Sequence, residues 1–144
     1  MPENKVLKTL EKYRAKNEEV PIIVEGKNDR GSLRKIDFPG DIIILNGGNS
    51  LVNFSENVAE ENDEVIILTD FDRKGVDLKK AIQRNISGLG CQVDTQLWET
   101  IRRYANIRTI EELPFAVQRM IDENEGRALG KQATRFKNPD LKRG

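Results

Sequence analysis

The chain has 144 residues, which is enough for one domain with a sizeable core, and 33% of them are charged. Lysine plus arginine number 24, as do aspartate plus glutamate, so the formal net charge is zero and the chain as a whole is no polycation. It has no histidine and one cysteine, which excludes imidazole chemistry and an intramolecular disulfide, and a reducing, cytoplasmic compartment is expected.

The first half of the chain is predicted to alternate between helices and strands. Apolar residues recur at helical spacing in the opening segment, whereas aliphatic runs that end in turn residues indicate buried strands. Ser50 is predicted to cap a helix, because its hydroxyl can accept a hydrogen bond from a free main-chain N–H. In chain order we predict a helix over residues 5–16, a strand over 20–24, a helix over 29–36, a strand over 42–45 and a helix over 51–61.

The second half continues this alternation and ends in helices. Thr109 is predicted to cap the last helix, and Glu112 stands at the spacing of a capping box. The predicted elements are a strand over 65–68, a helix over 76–86, a weak strand over 91–93 and helices over 97–104 and 110–121. Four large apolar residues at helical spacings are predicted to be core, namely Phe54, Trp98, Phe115 and Met120.

Unbroken aliphatic strands alternating with helices predict an α/β fold, with a mainly parallel four-stranded sheet flanked by helices on both faces. We expect one domain over residues 1–126, with its motifs in 20–93, and a basic tail over 127–144. No apolar run approaches the ~20 residues that span a bilayer, and the first residues have no signal-peptide pattern. No membrane association is therefore expected.

Acidic side chains follow two of the predicted strands. Glu25 comes directly after the first strand, and Asp70 and Asp72 follow the third. Ligands of such sheets bind outside the carboxyl ends of the strands, and carboxylate oxygens suit Mg²⁺. Asp77, one turn into the next helix, is a further candidate ligand. Without any metal, clustered carboxylates repel one another, so at least one should have a raised pKa.

Basic side chains next to these acids are placed to contact phosphate oxygens, and they are Lys27, Arg73 and Lys74. A plainer interpretation is open for each acid. Asp-x-Asp after a strand often serves in turns and helix caps, and Glu25 alone would be a solvated strand end. The loop 46–49, Asn-Gly-Gly-Asn, is either a bare turn or a backbone that approaches a phosphate or metal closely.

The last segment of the chain is strongly basic. Residues 127–144 contain six basic side chains and one acidic side chain, so their net charge is +6 − 1 = +5. A basic tail on an otherwise acidic domain fits a polyanion partner, and a solvated, poorly ordered terminus is the alternative. The candidate nucleic-acid contacts in this tail are Arg135, Lys137, Lys142 and Arg143.

Two motifs together resemble the Toprim domain. Val24-Glu25-Gly26-Lys27-Asn28-Asp29 is followed about forty residues later by Ile67-Leu68-Thr69-Asp70-Phe71-Asp72-Arg73-Lys74-Gly75. Topoisomerases, bacterial-type primases, several nucleases and small ribosomal-RNA-maturing ribonucleases share this domain. The resemblance implies a compact, Rossmann-like α/β fold. It also implies that Glu25 is a general acid/base, that Asp70 and Asp72 coordinate Mg²⁺ or Mn²⁺, and that the substrate is a nucleic-acid phosphodiester.

The chain departs from the topoisomerase version of the motif, in which acids commonly follow shortly after the second aspartate. Here Lys74 and Val76 come first and Asp77 is one position late, so a third acidic ligand is an open point. Topoisomerases also need a nucleophilic tyrosine, but Tyr13 and Tyr104 fall on predicted amphipathic helices. Primases need zinc-binding segments that one cysteine and no histidine cannot supply.

Two functions remain. The first is a metal-dependent phosphodiesterase, most simply a nuclease, that processes RNA or DNA with Mg²⁺ or Mn²⁺ and catalytic residues Glu25, Asp70 and Asp72. The second is a module that binds nucleic acid, or docks as a homodimer or within a larger processing complex, without turnover. The acid cluster favours the enzyme, while the basic tail and the altered acid after Asp72 favour the module.

Overall fold

The computed structural model describes residues 4–45 and 50–129. The predicted turn at 46–49 and the basic residues Arg135, Lys137, Lys142 and Arg143 lie outside the described residues. In chain order the elements are α1 (Lys5–Lys16), β1 (Ile22–Val24), α2 (Lys27–Lys35), β2 (Ile42–Ile44), α3 (Leu51–Glu61), β3 (Glu64–Ile67), α4 (Arg73–Ser87), β4 (Gln92–Asp94), α5 (Gln96–Tyr104), a 3₁₀ turn (Ile110–Glu112) and α6 (Leu113–Leu129).

The predicted elements are confirmed, and the differences lie at their ends. Helix α4 begins three residues earlier than expected because the carboxylate of Asp72 accepts the N–H of Gly75 and caps the helix. The last helix opens as a 3₁₀ turn. Pro114 has no N–H to donate to the carbonyl of Ile110, which instead accepts the N–H of Leu113.

The four strands form one parallel sheet in the order β2-β1-β3-β4. Ile22 of β1 is in register with Ile42 of β2 on one side and with Ile66 of β3 on the other. Strands β1 and β3 are therefore direct neighbours at the centre of the sheet. Because they run in the same direction, the residues that follow each of them emerge at the same rim.

Helices cover both faces of the sheet, and the strand residues alternate between two apolar cores. One core contains α1, α5 and α6 packed on one face, and the other contains α3 and α4 on the opposite face. In β1, Ile22 and Val24 point into the first core and Ile23 into the second, all fully buried. A fully buried aliphatic side chain contributes about 1.5–3 kcal/mol, so the central strands are a rigid base for the rim.

One core prediction is wrong. Phe54, Trp98 and Met120 are buried as expected, whereas Phe115 is 74% exposed. The buried stripe of α6 runs through Leu113, Ala116, Val117 and Met120, and position 115 points away from it. No helix of the described residues is long and apolar enough to cross a membrane.

Tyr13 is a structural residue of this fold. Its hydroxyl donates to the carboxylate of Asp94 at 2.8 Å and so joins α1 to the edge strand β4. Burial, together with this hydrogen bond to Asp94, raises the pKa of Tyr13 well above its ordinary value. A buried phenol that holds its proton this firmly is a poor nucleophile, so Tyr13 serves the fold.

Candidate metal and phosphate site at the ends of β1 and β3

Glu25 and Asp70 meet where the two central strands end. The Oε2 atom of Glu25 accepts the main-chain N–H of Asp70 at 2.9 Å, across 45 positions of sequence. The contact follows from the parallel pairing of β1 and β3, which brings the residue after one strand beside the residues after the other. The structure thus places Glu25 directly against the Asp-x-Asp segment.

Each of the three carboxylates is held by one main-chain N–H. Asp70 Oδ1 accepts the N–H of Ile110 at 2.8 Å, and Asp72 Oδ1 accepts that of Gly75 at 2.8 Å. Glu25 uses only Oε2 for its own contact with Asp70. Within the part of the chain that is described, the second oxygen of each group accepts no hydrogen bond. The side chains are therefore oriented while one oxygen of each stays available.

Asp29, the last residue of the first motif, is a fourth acid at this rim, and the motif alone did not predict a role for it. Its Oδ2 accepts the N–H of Gly26 at 3.1 Å, and the residue is only 7% exposed. Burial, with the negative charge of Asp70 next in importance, raises the pKa of Asp29 from 3.8 to about 6. The signal for it was Asp29's position three residues after the helix cap Gly26, where an acid can bond back to the cap.

The charges at the rim are not balanced. Burial raises the pKa of Glu25, the charges of Asp70 and Asp72 add to this, and the hydrogen bond from Asp70 and the charge of Lys74 oppose it. Burial also raises the pKa of Asp70, against the hydrogen bond from Ile110, and Asp72 and two acids of the 3₁₀ turn raise it further. Acids whose mutual repulsion is this incompletely offset attract a cation.

The other predicted site residues lie around this cluster. Lys74 acts on Glu25 through its charge, and Lys27 is exposed at the first position of α2. Arg73 is 90% exposed on its side chain and its Nε atom lies 3.9 Å from Asp77 Oδ2. Asp77, whose side chain is 68% exposed, is thus directed toward Arg73 on the surface of α4. As a metal ligand it would first have to leave Arg73.

A second set of hydrogen bonds, which the sequence did not predict, holds the main chain of the Asp-x-Asp segment. The hydroxyl of Thr69 donates to the carbonyl of Gly75 at 2.8 Å, and the indole N–H of Trp98 donates to the carbonyl of Thr69 at 3.0 Å. The N–H of Phe71 donates to the carbonyl of Arg108 at 2.8 Å. Helical spacing predicted Trp98 as core, but periodicity carries no information about its N–H.

The donor chemistry suits a hard divalent cation. All available ligands are carboxylate oxygens, which Mg²⁺ and Mn²⁺ accept and softer metals favour less. Among residues 4–45 and 50–129, no three His, Cys, Asp or Glu side chains form a group that could hold a metal ion. A Mg²⁺ ion at this rim would therefore be held by one or two carboxylates, with water and phosphate oxygens in its remaining positions.

The raised pKa of Asp29 predicts a pH dependence of stability in metal-free buffer. A carboxyl whose pKa is higher in the folded state stabilises the fold while protonated, and this contribution is lost as pH rises through about 6. Between about pH 4.5 and pH 7.5, urea unfolding should show the wild type losing about 1–2 kcal/mol more than Asp29→Asn. Asp63→Asn, at an exposed position before β3, is the control. Equal slopes for all three proteins would contradict the prediction.

Comparisons with known proteins agree with this fold. The sequence model of the Toprim domain matches residues 20–102. A UPF0292 protein of Thermoplasma volcanium is 47% identical over 114 residues, which cover 79% of this chain and 96% of the relative. One of Methanocaldococcus jannaschii is 41% identical over 111 residues, covering 76% and 87%. A solved structure, a putative protein from Aquifex aeolicus, superimposes with a TM-score of 0.67 at 27% identity, covering 77% of this chain and 99% of that one.

Proposed function

The chain belongs to the Toprim family of nucleic-acid-processing domains, and from this premise we propose that it is a metal-dependent phosphodiesterase that cuts RNA or DNA. The observation that carries the proposal is the contact between Glu25 and Asp70, which gathers acids from two strands at one rim. A covering of both sheet faces by helices leaves that rim as the place where such a sheet binds ligands.

The roles follow from the contacts of each residue. Asp70 and Asp72 would hold Mg²⁺ or Mn²⁺ through the oxygens that their main-chain contacts leave available. Such an ion, when bound, neutralises charge that develops on a phosphoryl group. Glu25 has a raised pKa, as a group that takes and returns a proton requires, and it would act on the attacking water.

The cations complete this assignment. Lys74 is close enough to act on Glu25, and Lys27 and Arg73 are exposed beside the acids, so all three would contact phosphate oxygens. Asp77 is the weaker candidate for a metal ligand because it is paired with Arg73. The basic residues Arg135, Lys137, Lys142 and Arg143 would add sequence-independent contacts with the nucleic-acid backbone.

The test is a cleavage assay that removes and restores the metal. End-labelled RNA and DNA, each single- and double-stranded, are incubated with the protein in Mg²⁺, in Mn²⁺ and in excess chelator. Cutting should occur with a divalent ion, stop in chelator and return when the ion is added back. Absence of cutting across all substrates and metals would end the proposal of an enzyme.

A binding module is the second candidate, and a specific observation favours it. Asp70 and Asp72 each have a structural role, because one accepts the amide of Ile110 and the other caps α4. Without catalysis, nucleic-acid binding should persist in chelator, weaken steeply with salt and fall when Arg135, Lys137, Lys142 and Arg143 are replaced by glutamine.

A further inference from the structure

An exposed groove lies beside the start of α6. Its volume is about 480 Å³, and it is lined by Asn106, Ile107, Glu112, Phe115, Ala116 and Arg119. Phe115 is the most exposed large apolar residue of the described chain, at 74%. Its ring points away from the buried stripe of α6 and instead lines this groove.

The 3₁₀ turn before α6 connects the groove to the acidic rim. The 3₁₀ turn before α6 donates the N–H of Ile110 to Asp70, and Glu112 of the same turn both lines the groove and raises the pKa of Asp70. From Ile110 to Phe115 the helical rise is about 9 Å. The groove and Asp70 are therefore joined by one short helical segment, residues 110–115.

A cationic side chain lies beside this ring. The guanidinium of Arg119 lies 5.6 Å from the centroid of the Phe115 ring. Arg108 is exposed in the loop before the 3₁₀ turn, and its carbonyl accepts the N–H of Phe71 between the two aspartates, so this arginine belongs to the rim. An aromatic ring beside an arginine is an arrangement on which unpaired bases stack.

We propose that this groove binds an unpaired nucleobase of a single-stranded nucleic acid, stacked on Phe115, next to the phosphate at the acidic rim. This inference rests on the proposed function, which makes the polymer a nucleic acid. It adds that the bound nucleic acid is single-stranded, or is a duplex with an unpaired nucleotide at the reacting position. Bases in a continuous duplex are stacked on each other and present no free face to Phe115.

The test measures binding without turnover, in Mg²⁺, with single-stranded and duplex oligonucleotides of one sequence that carry 2-aminopurine and nuclease-resistant phosphorothioate linkages. Phe115→Ala should weaken single-strand binding about tenfold, remove the change in 2-aminopurine fluorescence and leave duplex binding within about twofold. Phe115→Trp should retain the single-strand affinity, since it restores an aromatic face. Leu89→Ala, also at an exposed apolar position (49%) but after α4, is the matched control and should behave as the wild type.

Three results would overturn the inference: no single-strand binding by the wild type, equal single-strand affinities for Phe115→Ala and the wild type, or equal losses for single strands and duplexes. A wild-type dimer in sedimentation that Phe115→Ala dissociates would also overturn it, because the groove would then be a contact between two copies. A wild-type protein that cuts nucleic acid but gives no change in 2-aminopurine fluorescence rejects only this inference. Stacking without any cleavage supports it and rejects only the enzyme.

Discussion

Asp70→Asn is expected to lower metal-dependent cleavage about a hundredfold or more while the protein stays folded. The amide oxygen of asparagine can still accept the N–H of Ile110, so the 3₁₀ turn keeps its anchor. What is lost is one negative charge and the oxygen that the proposal assigns to the metal. Because burial and the neighbouring acidic charges raise the pKa of Asp70, removing its charge should leave the melting temperature unchanged or higher.

The measurement combines single-turnover cleavage with thermal unfolding in the presence and absence of Mg²⁺. For the wild type, Mg²⁺ should raise the melting temperature, and Asp70→Asn should lose most of that increase. Asp63→Asn makes the same chemical change at an exposed position before β3 and should match the wild type in both assays. An Asp70→Asn protein that cuts as fast as the wild type would remove Asp70 from the proposed chemistry.

Gly75→Ala is expected to damage both the fold and the site. A Cβ atom at position 75 would lie 2.0 Å from the carbonyl oxygen of Asp70 and 2.5 Å from its carbonyl carbon. Both atoms belong to the backbone, so neither can move aside on its own. The whole Asp-x-Asp segment would have to shift, and the two hydrogen bonds that hold Gly75 to Thr69 and Asp72 would be strained or broken. We expect a loss of roughly 2–4 kcal/mol in unfolding free energy.

Gly31→Ala is the matched control for this substitution. Gly31 also lies within a helix, α2, but no atom lies within 4 Å of the Cβ it would gain. Alanine there should stabilise the protein by about 0.5–1 kcal/mol through helix propensity. Urea unfolding of the two variants distinguishes a steric clash of the new Cβ atom from an effect of helix propensity. The Mg²⁺-induced rise in melting temperature is the second readout. If both glycines accept alanine equally well, the close approach at position 75 does not constrain the site.

The sequence predicted the order of elements well because each strand is an unbroken aliphatic run between turn residues. The parallel sheet followed from that alternation, and parallel pairing of β1 with β3 is what brings Glu25 beside Asp70. The residue types at Ser50 and Thr109 also predicted that helices begin there. The structure shows the expected hydrogen bonds, from the N–H of Asn53 to Ser50 and from the N–H of Thr109 to Glu112. The strands and the caps depend on interactions between residues close in sequence, so they can be predicted from the sequence alone.

Other features depend on contacts between distant residues and could not be predicted. The amide of Ile110 reaches Asp70 across 40 positions, and the indole of Trp98 reaches Thr69 across 29. Phe115 was expected in the core because its spacing is helical, yet periodicity places a residue on a helix face without saying which face is covered. The buried state of Asp29, and with it the raised pKa, depends on how α2 packs beneath the acids of the rim.

The hydrogen bond from Ile110 to Asp70 has a consequence for how far the indispensable part of this protein extends. The stretch shared with the wider family stops at residue 102, before the amide that orients its own central aspartate. A fragment cut to that stretch would also lack α1 and α6, and the core on that face of its sheet would keep only part of its cover. We therefore expect α1 and the segment from Ile110 through α6 to be required for a stable domain, and shortened versions of the protein should include them.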